Sequence, residues 1–103
     1  MTAQQVWLIT GASSGFGAAL AKEVLNSGHR VIATARSPAR AAAAHPEIEQ
    51  LGGQWIDLDV TLSSTAEKIT NVIREVGHVD VVVNNAGYSI LGSFEDLRHE
   101  VSV

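Results

Sequence analysis

Residues 10 to 17 read Thr-Gly-Ala-Ser-Ser-Gly-Phe-Gly, after the short apolar run Val6-Trp7-Leu8-Ile9 and before a segment with helical spacing. This is a glycine-rich turn from a strand into a helix. A helix start leaves amide N–H groups unpaired and carries partial positive charge, and glycines let an anion reach that backbone without meeting a Cβ. A pyrophosphate suits such a turn, with Gly11, Ser13, Ser14, Gly15, Phe16 and Gly17 as the candidate contacts. The spacing G-x-x-x-G-x-G matches neither G-x-G-x-x-G nor the phosphate loop of nucleotide triphosphatases, so a plain tight turn is the competing reading. Two other polar stretches stand where strands should end. These are Ala35-Arg36-Ser37 and Asn84-Asn85-Ala86-Gly87.

Strand and helix signals alternate along the whole chain. The first helix, roughly Gly15 to Ser27, places Leu20 and Val24 one turn apart, and Gly28 should end it as a left-handed cap. Arg30 to Ala35 reads as a second strand. Ser37-Pro38 starts a second helix with a Ser cap and a proline at the first helical position, and Pro46 should break or restart it. Gly52-Gly53 closes that segment ahead of a third strand, Gln54 to Leu58. In the third helix Ile69, Val72, Ile73 and Val76 form one apolar stripe, with Ser64 and Glu67 as a capping box before it and Gly77 after it. The fourth strand, Val79 to Val83, is almost continuously apolar, as a parallel strand covered on both faces should be. Ser93 to Asp96 resembles one more helix start.

Strands alternating with helices imply right-handed crossovers and a parallel sheet. In the dinucleotide-binding arrangement, a doubly wound α/β fold, the strand order begins 3-2-1-4. The chain is then expected to stop after the fourth strand and the start of a fourth helix. In that order the glycine turn and residues 84–87 leave the carboxyl ends of adjacent strands, so two stretches far apart in sequence flank one crevice. Ligands bind at such a switch point.

The Thr-Gly-x-x-x-Gly-x-Gly turn, Asn84-Asn85-Ala86-Gly87 after an apolar strand, and Asp59-Val60 after the third strand together resemble the short-chain dehydrogenase/reductase family. Each has a plainer reading alone: a polar turn for residues 84–87, an ordinary surface acid for Asp59. The resemblance implies a Rossmann-type fold in which the glycine turn holds the pyrophosphate of NAD or NADP. Asp59 and Val60 would contact the adenine. Asn84 would help hold the central strands, while Asn85, Ala86 and Gly87 would lie against the cofactor.

An acid at the end of the second strand accepts hydrogen bonds from the adenosine ribose of NAD, whereas an arginine nearby accommodates the 2′-phosphate of NADP. This chain has Arg36 there and no acid, which points to NADP rather than NAD, a solvated surface charge being the alternative. Where other family members carry a basic residue before the second glycine, this chain has Ser14, so Arg36 is expected to act largely alone.

The family's chemistry also needs a Tyr-x-x-x-Lys pair and a nearby Ser. The only tyrosine, Tyr88, has Gly92 four residues on, so no residue here is assigned a catalytic role. The resemblance spans essentially all of residues 1–103 but only the first half of the family's domain. The expectation is therefore a dinucleotide-binding half without its catalytic half. In the complete enzyme it would serve hydride transfer to or from a carbonyl or alcohol substrate. The wording around Arg36 and after Gly87 is similar to members acting on hydrophobic substrates such as steroids or retinoids. Two alternatives stand beside it: a non-catalytic cofactor-binding or regulatory fragment, and a truncated gene product without activity. Val101-Ser102-Val103 is what a reading frame gives on entering a splice-donor sequence, which fits the last of these.

Composition sets outer bounds. A chain of 103 residues, 46% hydrophobic and 17% charged, suits one small globular domain. A net charge of −4 without a Lys/Arg cluster argues against nucleic acid or an anionic membrane as partner. There is no cysteine, and the four histidines, His29, His45, His78 and His99, lack metal-ligand spacing and read as solvated loop residues. With no signal-like N-terminus and no apolar run of membrane-spanning length, a cytoplasmic protein is expected. The apolar fourth strand would present an unpaired edge, so the chain is expected to be weakly stable or to associate, a homo-oligomer being one form of this.

Overall fold

The structure is a computed structural model that describes residues 3–58, 65–85 and 97–102. In chain order the elements are β1 (Val6–Thr10), α1 (Gly15–Asn26), β2 (Arg30–Ala35), α2 (Pro38–Ala44), α3 (Pro46–Gln50), β3 (Gln54–Asp57), α4 (Thr65–Val76), β4 (Val79–Asn84) and β5 (Leu97–Ser102). The strands form one sheet in the order β3-β2-β1-β4-β5, every neighbouring pair parallel. The expected 3-2-1-4 order is present, with a fifth strand beside it.

Alternation along the central strands sorts side chains between two covering layers. On one face Ile9, Val31, Ala33, Val81 and Val83 pack against Ala18, Ala21, Val24 and Leu25 of α1 and Ile48 of α3. On the other, Val6, Leu8, Ile32 and Val82 meet Ile69 and Ile73 of α4. Leu8 and Ile9, neighbours in sequence, are both fully buried on opposite faces. Such a strand must be apolar at every position, and burying each large side chain contributes roughly 1.5–3 kcal/mol. The helix cover therefore changes side between the crossovers before and after β3, which is the double winding the sequence pattern implied.

Helix boundaries follow their local chemistry. Ser14 caps α1 by accepting from the Gly17 N–H, and Gly28, with φ 90°, follows its last turn. Pro46 cannot donate to the preceding turn, so α2 stops at Ala44 and α3 restarts at Pro46. A surface ion pair between Lys22 and Glu47, 3.4 Å apart, links α1 to α3. The backbone N–H of Glu47, and then Lys22, hold the Glu47 carboxyl below the usual carboxylate range. Ile69 and Ile73 are the buried half of the α4 stripe, with Val72 and Val76 partly buried beside them. Ser64 of the expected capping box and the helix start read at Ser93–Asp96 lie outside the described residues.

One expectation is overturned. The outer edge of β4 is paired, because Leu97–Ser102 is a strand running parallel to it, with Val79 opposite Leu97 and Asn84 opposite Ser102. The sequence is ambiguous here, since its two apolar residues, Leu97 and Val101, stand four apart, a spacing that fits a helix face and a strand face equally. The ladder of unpaired groups on β4 decides between them. Among the described residues no helix is long and apolar enough to cross a membrane.

Asp80 is the one charged side chain buried within this framework among the described residues, at 6% exposure. Its Oδ2 accepts the Val6 N–H at 2.9 Å and lies 3.3 Å from His78 Nε2, tying the first residue of β1 to β4. Asp80→Ala leaves the buried Val6 amide without that acceptor and should lower stability by about 1–3 kcal/mol. Asp80→Asn, which keeps an acceptor oxygen, should lose less when both variants are unfolded in urea, and an alanine midpoint equal to that of the parent chain would contradict the role.

Candidate functional site

Register brings the two polar stretches together. Thr10 is opposite Asn84 across the β1–β4 pair, so the residues that follow them leave the sheet at the same height. The buried Thr10 hydroxyl crosses the same pair, donating to the Val83 carbonyl at 3.3 Å and lying 3.4 Å from Asn84 Oδ1. Just beyond, Asn85 Nδ2 donates to the Gly11 carbonyl at 3.1 Å and to Ser14 Oγ at 2.7 Å. Ser14 Oγ in turn donates to Gly11 O at 2.9 Å and accepts the Gly17 N–H at 3.4 Å. Asn85 thus clamps the turn from the neighbouring strand. Its role within the described structure is to hold the glycine turn in shape.

The glycines of the turn divide by what surrounds them. A Cβ at Gly17 would lie 2.7 Å from both Asn85 Nδ2 and the Gly11 carbonyl, so this position belongs to the packing between turn and helix. Its chain neighbours and own helix aside, a Cβ at Gly15 would meet no atom of the described residues within 4 Å, and Phe16 beside it is 55% exposed. Among the described residues the start of α1 is therefore open at Gly15, where an anion could meet its first amides. Crowding behind the turn and open space in front of it are what a backbone cradle for pyrophosphate requires.

A second set of contacts joins the turn to the end of β2. The Ala12 N–H donates to the Thr34 carbonyl at 3.0 Å, bringing Ser13 and Arg36 to the same cleft, about 540 Å³ in volume. Gly11 and Ser13 form one wall. Arg36, Ser37 and Arg40 supply its polar side chains, and Ala35, Ala41, Ala44 and Leu58 its apolar lining. Its volume falls within the roughly 300–1,000 Å³ typical of small-molecule sites. The described residues that line it include no carboxylate.

The sequence-derived set thus gathers in two connected places. Gly15, Phe16 and Gly17 stand at the start of α1 beside Asn85, while Gly11, Ser13 and Arg36 line the cleft and Ser14 joins the two. Asp59, Val60, Ala86 and Gly87 lie outside the described residues. Two residues were missed. Arg40 shares the cleft, so Arg36 is not the lone guanidinium expected there. The signal was available, since Ser37, Arg40, Ala41 and Ala44 stand at i, i+3, i+4 and i+7 on one helix face. His45 also departs from the solvated role read for it, its Nε2 lying 3.1 Å from the Ser13 carbonyl, to which it must donate. His29 accepts the Gln5 N–H at 2.9 Å, and His78 contacts Asp80, so these histidines hold partners too.

Comparison with known proteins agrees with this architecture. The family model for short chain dehydrogenases matches residues 5–102. An oxidoreductase of Passalora fulva is 48% identical over 91 residues, which cover 87% of this chain and 41% of that protein. A metagenomic short-chain oxidoreductase solved in complex with NADP is 37% identical with a TM-score of 0.71, over 82% of this chain and 39% of the other. The 3-ketoacyl-(acyl-carrier-protein) reductase of Brucella melitensis, solved with NADH, is 33% identical with a TM-score of 0.67, over 81% and 34%. The chain spans less than half the length of each of these proteins. With its sheet order, glycine turn and Asn85 clamp, it belongs to the short-chain dehydrogenase family.

Proposed function

We propose that this chain is the NADP(H)-binding part of a short-chain oxidoreductase acting on a carbonyl or alcohol substrate. The observation that carries the reading is the cleft at the end of β2, where Arg36 faces the same space as Gly11 and Ser13. A dinucleotide whose pyrophosphate lies at the open start of α1 would extend its adenosine into this cleft. Its 2′-phosphate would then meet a guanidinium instead of a carboxylate. Related structures hold either cofactor, so the preference rests on this chain's own residues.

The work divides by element. Amides at the start of α1 would bind the pyrophosphate, and the space in front of Gly15 admits it. Asn85 and Ser14 keep the turn in the shape that exposes those amides. Ala41, Ala44 and Leu58 offer an apolar surface for the base. Arg36 would pair with the 2′-phosphate. When bound, the nicotinamide supplies the hydride chemistry. No Tyr-x-x-x-Lys occurs in these 103 residues, so none of them is given a catalytic role, and a cofactor-binding or regulatory chain stands as the second reading. NADPH binding with and without oxidation of added ketone separates the two.

Arg36→Ala should weaken NADPH binding by about tenfold or more, the equivalent of one charge-assisted hydrogen bond, and leave NADH within about twofold. Equal losses in a fluorescence titration of both cofactors would remove the assignment. The two glycines should separate as well. Gly17→Ala overpacks the turn against Asn85 and Gly11, at a cost of about 1–3 kcal/mol, and should lower Tm by several degrees while weakening both cofactors. Gly15→Ala should leave Tm nearly unchanged yet weaken NADPH and NADH together. A Gly15→Ala variant that binds both normally would show that the pyrophosphate lies elsewhere.

A further inference from the structure

The geometry points to Arg40 as a second specificity-determining residue, one that shares the cofactor's 2′-phosphate with Arg36. This inference rests on the NADP(H) reading above. Arg36 enters the cleft from the end of β2, and Arg40 enters it from α2, the next element in the chain. Arg40, Ala41 and Ala44 of α2 and its N-cap Ser37 all line the cleft, so the face that carries Arg40 is the one turned toward the ligand space.

Charge argues for two groups over one. A phosphate monoester carries roughly −1.5 to −2 at neutral pH and offers three strong acceptor oxygens. One guanidinium supplies a single positive charge and, at best, two parallel hydrogen bonds. The turn across the cleft contributes Ser13, which is neutral. Arg40 supplies the balancing charge from the next element in the chain, leaving an oxygen for each arginine to hold. The distribution of charge over the whole chain points the same way. The net charge is −4 with only seven Lys and Arg residues, yet two of those seven line one cleft and no described lining residue is acidic. Two guanidinium groups on one cleft of an acidic chain would draw an anion to that point.

The division of labour also predicts what Arg40 does not do. It belongs to α2 and not to the glycine turn, so it should not affect a nucleotide lacking the 2′-phosphate. Being exposed, it should not affect folding.

The test is calorimetric titration of the 103-residue chain with 2′,5′-ADP and with 5′-AMP, each at two salt concentrations, with circular-dichroism melting alongside. The parent chain should bind 2′,5′-ADP at least about tenfold tighter than 5′-AMP. Arg40→Gln should weaken 2′,5′-ADP by about tenfold, leave 5′-AMP within about twofold, and reduce the salt dependence of the first probe alone. Arg40→Lys should recover part of the loss, since it keeps the charge but not the planar fork. If Arg36→Gln weakens 2′,5′-ADP and Arg40→Gln does not, Arg40 has no share in the phosphate and the inference is wrong, while the NADP(H) reading survives. If Arg40→Gln weakens both probes equally, its role is structural and the inference is again wrong. A parent chain with no preference for the 2′-phosphorylated probe would overturn the underlying reading as well.

Discussion

Everything at the functional end of this molecule depends on the parallel register of β1 and β4. Pairing Thr10 with Asn84 fixes where both strands stop, and the side chain of Asn85 then reaches Gly11 and Ser14 without any adjustment of the sheet. A slip of one residue would turn Leu8 and Ile9 toward the wrong layers as well as separating Asn85 from the turn. Core packing and site geometry are therefore enforced by the same constraint. Leu8, Ile9, Val82 and Val83 are all buried, so the cost of a slip is counted in several large side chains while the clamp itself consists of only a few hydrogen bonds.

The polar groups buried in this framework mark its two ends. At the amino end Asp80 accepts the first amide of β1, and at the carboxyl end the Thr10 hydroxyl bridges to β4. Between them the two strands carry only apolar side chains. A buried carboxylate or hydroxyl is tolerated where a backbone group of the neighbouring strand satisfies it, and that requirement is directional in a way that apolar burial is not. The apolar middle supplies the stability of the pair, and the polar ends specify its alignment.

How much could be read from sequence follows from which signals are local. β1, β2 and β4 were legible because a strand covered on both faces must be apolar throughout, and the α2–α3 break was legible because proline lacks an amide. Alternation and crossover hand gave a parallel sheet, and the glycine turn, by pointing to the dinucleotide-binding arrangement, gave its order. β5 was not legible, because Leu97 and Val101 fit either periodicity and the decision is made by an open ladder on another strand. The site divides in the same manner. Glycine, Asn85 and Arg36 stood in patterns tied to element ends, so their neighbourhood could be inferred. Arg40 was hidden inside an alanine-rich helix, where an arginine is most simply a solvated charge. His45 appeared to be loop punctuation beside Pro46, yet its ring reaches the Ser13 carbonyl. Both are contacts between elements whose relative placement no local pattern encodes.

That distribution has a consequence for cofactor choice. Amides at a helix start bind any pyrophosphate, and they cannot distinguish two cofactors that share one. The Asn85 clamp cannot discriminate either, since it touches only protein. Selection must come from the part of the ligand that differs, and on the proposed reading that part would lie beyond the end of β2, on the segment leading into α2. This segment is also the least constrained by the core, for Arg36 and Arg40 are exposed and their neighbours are small. Substitutions there change the charge of the cleft without disturbing Leu8, Ile9 or Asn85. On the proposed reading the arrangement would separate two tasks, holding a pyrophosphate on a rigid switch point and reading a single phosphate group at its rim.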